Sequence, residues 1–186
     1  QLGKRVRIEP ATLWSIAEHG HGQRYFIENT LSALDAPGEW YLNKGSKNTL
    51  HYIPPSAVKD GSTVRFEVPV VERLLTMQGA ANQNQWVQFV QFSGLKFKYA
   101  RGGHASPHSE GIASGYLDPQ ADTYVNAAIE LNDARNIAFV NCEVSRTGGY
   151  GIWMRERVRN VAVESSELYD LGAGGMKIGK ARPSSH

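Results

Sequence analysis

The chain has 186 residues, 41% of them apolar and 20% charged, with a formal net charge of +2. This is the profile of a folded domain rather than a disordered tail, and both charge signs are mixed along the chain, leaving no electrostatic footprint for nucleic acid. The longest apolar run falls far short of the roughly 20 residues a spanning helix needs, so no membrane partner is expected either.

Nineteen glycines among strong β-formers lean toward strands and turns. Amphipathic helical patterns are scarce, and the best candidate, residues 11–18, is short. Residues 24–55, RYFIENTLSALDAPGEWYLNKGSKNTLHYIPP, read as strand, short helical turn, strand, tight turn, strand. Asp35, Pro37 and Gly38 mark the turn before EWYL, and residues 44–48 mark a hairpin. Tyr25, Phe26, Trp40, Tyr41, Leu42 and Tyr52 are expected to supply a compact aromatic core for an N-terminal β-rich subdomain over residues 1–62.

Internal repeats decide the architecture of residues 63–186. ARNIAFVNCEVSRTGGYGIWM, from Ala134, aligns without gaps on VRNVAVESSELYDLGAGGMKI, from Val158, at a shift of 24 residues. The shift superposes Asn136 on Asn160, Ile137 on Val161, Phe139 on Val163, Glu143 on Glu167, Gly148 on Gly172 and Gly151 on Gly175. Chemistry is kept together with spacing, as in a stacked repeat. An earlier copy matches VQFSGLKFKYA, from Val90, to the stretch from Ile137, and AIEL, from Ala128, to GIWM, from Gly151. An extra segment, residues 101–126, separates its halves, and residues 74–77 form a partial copy.

Each unit reads as two short strands around a glycine-bearing bend, with Val161, Val163, Leu168, Met176 and Ile178 facing one interior. A leucine-rich repeat shares the period but needs a leucine and asparagine frame that is missing here. The expected fold is all-β: a right-handed parallel β-helix, about three coils of it visible, stacked at about 4.8 Å. Asn136 and Asn160 then form a ladder at a bend. Cys142 has no internal disulfide partner and is expected in a buried inward column with Ser93 and Ser166. Terminal repeats need caps and nothing cap-like follows Gly179, so further coils are expected beyond residue 186.

RYFIEN, ALDAPGEWYLN, LHYIPP, FSGLKF, NIAFVNCEVSRTGGYGIW and LYDLGAGGMKIG together make residues 24–179 resemble bacterial right-handed β-helix proteins of glycoside hydrolase family 141. The resemblance implies a secreted or periplasmic glycosidase acting on plant cell-wall polysaccharide, on pectin or xylan side chains. A polysaccharide or oligosaccharide is the expected partner, with no cofactor. The rival readings are a non-catalytic carbohydrate-binding or structural β-helix, and a polysaccharide lyase, which would need a carboxylate cluster for Ca²⁺ beside a basic residue.

Outward side chains one repeat apart approach to about one strand spacing, which suits the carboxyl pairs of glycosidases, about 5–5.5 Å apart for retention and about 6.5–9.5 Å for inversion. Asp170, at the bend in YDLGAGG, is the first catalytic candidate, with Arg146 and Tyr99 as column neighbours; an Asp before such a turn also serves to bond its backbone. Glu143 and Glu167 are the second pair, stacked in one outward column. There, repulsion would raise one pKa, as an acid/base pair needs and as a solvated surface tolerates.

The insertion brings His104, His108, Glu110, Tyr116, Asp118, Asp122 and Tyr124 toward the bend near Arg146 and Tyr150, as one wall of a sugar cleft or as a solvated loop. The substrate-binding candidates are His104, His108, Asp122, Tyr124, Arg146, Tyr150 and Trp153. Trp153, outward between Glu130 and Lys177 as column neighbours, reads equally as a stacking platform for a pyranose and as packing beneath the loop. His104 and His108 are not read as a metal pair, because Pro107 and nearby glycines oppose the helix that their spacing would require. Arg155, Glu156, Arg157 and Arg159 read as a solvated charged turn.

Overall fold

The computed structural model describes residues 29–55, 64–102 and 125–179. It is all-β, with two short 3-10 turns beside its strands. The chain divides into two compact units between Phe66 and Glu67.

The described part of the first unit is a 3-10 turn, Leu31–Ala33, and an antiparallel hairpin of β1 (Trp40–Asn43) and β2 (Thr49–Tyr52). The turn before β1 is closed by Glu39, whose carboxylate accepts the backbone N–H groups of Asp35 and Ala36 at 2.8 and 2.9 Å. Those donors hold its carboxyl below the ordinary value. Asn43 serves the hairpin turn in the same way, accepting the Gly45 N–H at 3.1 Å. The expected order of turn and hairpin is present.

The expected aromatic core is corrected: Trp40 is 63% exposed and Leu42 is open. A two-stranded ribbon cannot bury both of its faces, and the rings pair locally instead, Tyr41 with His51 and Tyr52 edge-on to Phe66. Tyr25, Phe26 and the helix expected over residues 11–18 lie outside the described residues.

The second unit contains β3 (Leu75–Gln78), β4 (Val87–Ser93), β5 (Lys96–Lys98), β6 (Ala127–Asn132), β7 (Ala134–Val140), β8 (Glu143–Thr147), β9 (Tyr150–Met154), β10 (Arg159–Glu164), β11 (Glu167–Leu171) and β12 (Met176–Ile178). They form three open parallel sheets, ordered β4-β7-β10, β5-β8-β11 and β3-β6-β9-β12. Each repeat therefore contributes three strands, one to each sheet, where the sequence pattern suggests two. The extra division is a corner at Gly94, Asn141 and Ser165, all with positive φ. Such a corner breaks the backbone hydrogen-bond ladder without interrupting the apolar alternation by which strands are recognised.

Register follows the repeat. Val161 pairs with Ile137 and Ile137 with Val90, while Val163 pairs with Phe139 and Phe139 with Phe92. The Phe92 and Phe139 rings stack at 5.2 Å, and Phe97 meets both edge-on. Around them Ile129, Leu131, Ile137, Val144 and Ile152 are fully buried. The partial copy at residues 74–77 falls largely in β3, beside β6. In the last tier Met176 and Ile178 are exposed, because no described strand lies over β12.

Asn160 donates its side-chain amide to Asn136, the expected ladder. Cys142 is buried and its N–H donates to Ser166 at 2.9 Å, but Ser93 is not in that column: it is paired with Val140. The repeat frame also holds Arg101, Gly102, Val125 and Asn126, so the insertion is shorter than residues 101–126; Arg101 N–H donates to Val71 at 2.7 Å and Gly148 packs on Gly102.

Candidate functional site

Left-handed backbone recurs in columns through the second unit: Asp133 and Arg157; Phe89, Asn136 and Asn160; Gly94, Asn141 and Ser165; Tyr99, Arg146 and Asp170. Glycine and asparagine tolerate positive φ, and they dominate the middle two columns. The last column holds Tyr99, Arg146 and Asp170 at φ 63°, 53° and 53°. A bulky side chain in this conformation costs about 1–2 kcal/mol. Tyr and Arg are therefore unsuited to the backbone at this corner, and what they offer is their side chains.

Those side chains form a connected, solvent-facing row. Arg146 Nη1 donates to Tyr99 Oη at 2.5 Å, its guanidinium lies 5.6 Å from the Tyr99 ring centroid, and its Nε stands 3.9 Å from Asp170 Oδ2. Asp170 is 69% exposed. The expected column of Asp170, Arg146 and Tyr99 is thus present. The chain then bends at stacked glycines, Gly102, Gly148 and Gly172, where a Cβ on Gly148 would overlap the Gly102 backbone.

Glu143 and Glu167 are paired in register, as expected. The expected repulsion does not govern Glu143, however. Lys98 Nζ and Tyr169 Oη each lie 2.6 Å from its Oε1, Ser145 donates to the same oxygen at 2.9 Å, and Lys96 Nζ is 3.3 Å from Oε2. Lys98 first, then Tyr169, draws the Glu143 carboxyl from 4.5 down to about 2. Glu143 in return raises the Lys98 ammonium above its ordinary value. The match of Val90 to Ile137 already carries this signal, since it sets Lys96 opposite Glu143 and Lys98 opposite Ser145.

Trp153 has the expected column neighbours, Glu130 and Lys177. Yet it is 4% exposed, its Nε1 donates to Gly179 O at 2.8 Å, and its ring faces Lys177 Nζ at 3.4 Å and Arg155 Cζ at 4.0 Å. It is a packed residue, not an open platform. Tyr150 is buried too, with Lys177 Nζ 4.8 Å from its ring.

Beside Trp153, buried Glu130 is held between Arg73 at 3.0 Å and Arg155 at 3.3 Å. Arg157 grips Asp133 with two nitrogens and lowers its pKa. The charged turn over residues 155–159 is therefore partly engaged in structural pairs rather than merely solvated. His104, His108, Glu110, Tyr116, Asp118, Asp122 and Tyr124 lie outside the described residues. Compared with known proteins, the chain matches no family model, no curated protein and no solved structure.

Proposed function

We propose that the second unit is a right-handed parallel β-helix belonging to a glycoside hydrolase that works outside the cytoplasm, as the resemblance to glycoside hydrolase family 141 implies. In-register stacking of three strands per repeat supports the helix, and parallel crossovers are right-handed in about 98% of cases. The observation carrying the functional reading is the row of half-buried Tyr99 with exposed Arg146 and Asp170, held in a backbone conformation unfavourable to its bulkier members.

Hydrolysis of a plant cell-wall polysaccharide, at pectin or xylan side chains, needs one carboxyl to protonate the leaving oxygen and another to attack the sugar or activate water. Glu143, its carboxyl drawn well below the ordinary value by Lys98 and Tyr169, suits attack or stabilisation of positive charge better than proton donation. Asp170, oriented by Arg146, is the second carboxyl of the pair. Tyr169, bonded to Glu143, immediately precedes Asp170 in the chain. The test is Asp170→Asn in the full-length protein, with sugar release from pectin and xylan as readout. Turnover should fall by about two orders of magnitude or more; unchanged turnover removes Asp170 from the mechanism.

One observation favours a second reading, a carbohydrate-binding β-helix without catalysis. Glu143 is already satisfied by four donors of its own protein. Binding of oligosaccharide by the wild-type chain without sugar release would select that reading.

A further inference from the structure

The outer face of the β4-β7-β10 sheet carries side chains that the Asp170 column does not use. Arg135 and Arg159 are direct partners on adjacent strands, an arrangement in which like charges repel. Among the described residues, neither forms an ion pair: Arg135 donates its Nε to Gln88 at 2.7 Å, and both guanidinium groups lie against Trp86, their Cζ atoms 4.9 and 5.3 Å from its ring centroid. Among the described residues, the donors of Arg159 and the terminal nitrogens of Arg135 meet no acceptor. Phe89, in the tier of Trp86, is 77% exposed in left-handed backbone at φ 58°. Two guanidinium forks, two aromatic rings and the amides of Gln88, Asn136 and Asn160 thus share one stretch of this sheet.

We propose that this face binds an anionic glycan, a run of uronate sugars. Its carboxylates take the forks of Arg135 and Arg159, which Trp86 backs, and a pyranose ring lies on the exposed Phe89. Planar guanidinium groups match carboxylates through paired hydrogen bonds, and aromatic faces suit the C–H surfaces of sugar rings. A carboxylate between the two arginines also relieves their mutual repulsion, to which no described residue supplies an ion pair. The inference rests on the carbohydrate reading above and places a polymer-holding face on a different sheet from Asp170.

Calorimetric titration of the full chain with a short oligogalacturonate tests this, with the fully methyl-esterified oligomer as comparison. Wild-type protein should bind the free acid, and both esterification and the R135Q/R159Q double substitution should weaken binding by about tenfold or more. R135K/R159K keeps the charges but loses the forks, and should restore only part of the affinity; circular dichroism confirms that each variant is folded. Equal binding by R135Q/R159Q, by the ester, or of a single-stranded DNA oligomer of matched charge would overturn the proposal. D170N should keep the binding. Arginine-dependent binding without sugar release by the wild type would sink the hydrolase reading alone, and sugar release without arginine-dependent binding would sink this one alone.

Discussion

Tyr169 donates its phenolic hydrogen to Glu143 Oε1 at 2.6 Å, reaching back one repeat across 26 positions of sequence. With Lys98 on the same oxygen, it keeps the carboxyl at about 2 instead of 4.5. Between those values the unfolded chain binds a proton that the folded chain refuses. Stability from this group is therefore whole above the ordinary value and drains away as the pH falls toward about 2. In Lys98→Met the largest cause is gone. Side-chain carbon NMR should show Glu143 titrating higher by about one pH unit or more. The urea midpoint should also change less between about pH 5 and about pH 2.5 than in wild type. An unmoved titration would show that the lysine is not the cause.

Arg146→Asn separates a functional corner from a structural one. Asparagine accepts left-handed backbone more readily, relieving about 1 kcal/mol, while the contacts with Tyr99 and Asp170 are exposed and contribute a similar amount. Urea unfolding should find stability within about 1 kcal/mol of wild type, while sugar release falls by about tenfold or more as Asp170 loses its orienting partner. Parallel loss of stability and activity would make the column a scaffold device.

The stacked architecture was legible because burial acts on one letter at a time: Phe139 and Val163 occupy equivalent interior positions and so keep equivalent chemistry 24 places apart. Three strands per repeat were not legible, since the corner at Asn141 and Ser165 alters φ without altering the hydrophobic pattern. The column of Asp170, Arg146 and Tyr99 followed from register alone. The state of Glu143 did not, because two lysines from a tier 47 residues earlier set it rather than its adjacent glutamate. Trp153 misleads for a similar reason: alternation gives the side of the sheet on which a ring lies, but not that Lys177, Arg155 and Gly179 O already occupy its surroundings.

Trp153→Phe tests that packing role. The ring loses its hydrogen bond to Gly179 O and part of its contact with Lys177 and Arg155. A destabilisation of about 1–2 kcal/mol is expected by urea unfolding, with xylo-oligosaccharide affinity unchanged. Loss of affinity at full stability would return Trp153 to the list of sugar contacts.

Gly148 and Gly38 are both glycines of necessity, but for different reasons, and alanine at each should reveal them. Gly38 has φ +94° with open space around it, so Gly38→Ala meets only backbone strain, about 1 kcal/mol. Gly148 has no such φ; an added methyl there would collide with the Gly102 backbone, and relieving the collision must part neighbouring tiers at the bend. Overpacking of this kind costs about 1–3 kcal/mol. Arg146 and Asp170 each lie two residues before a glycine of this ladder, so Gly148→Ala should also lower the rate of sugar release in protein that is still folded, whereas Gly38→Ala should leave it unchanged. Equal effects of the two substitutions on that rate would show that the tight glycine stack does not position the column of Arg146 and Asp170.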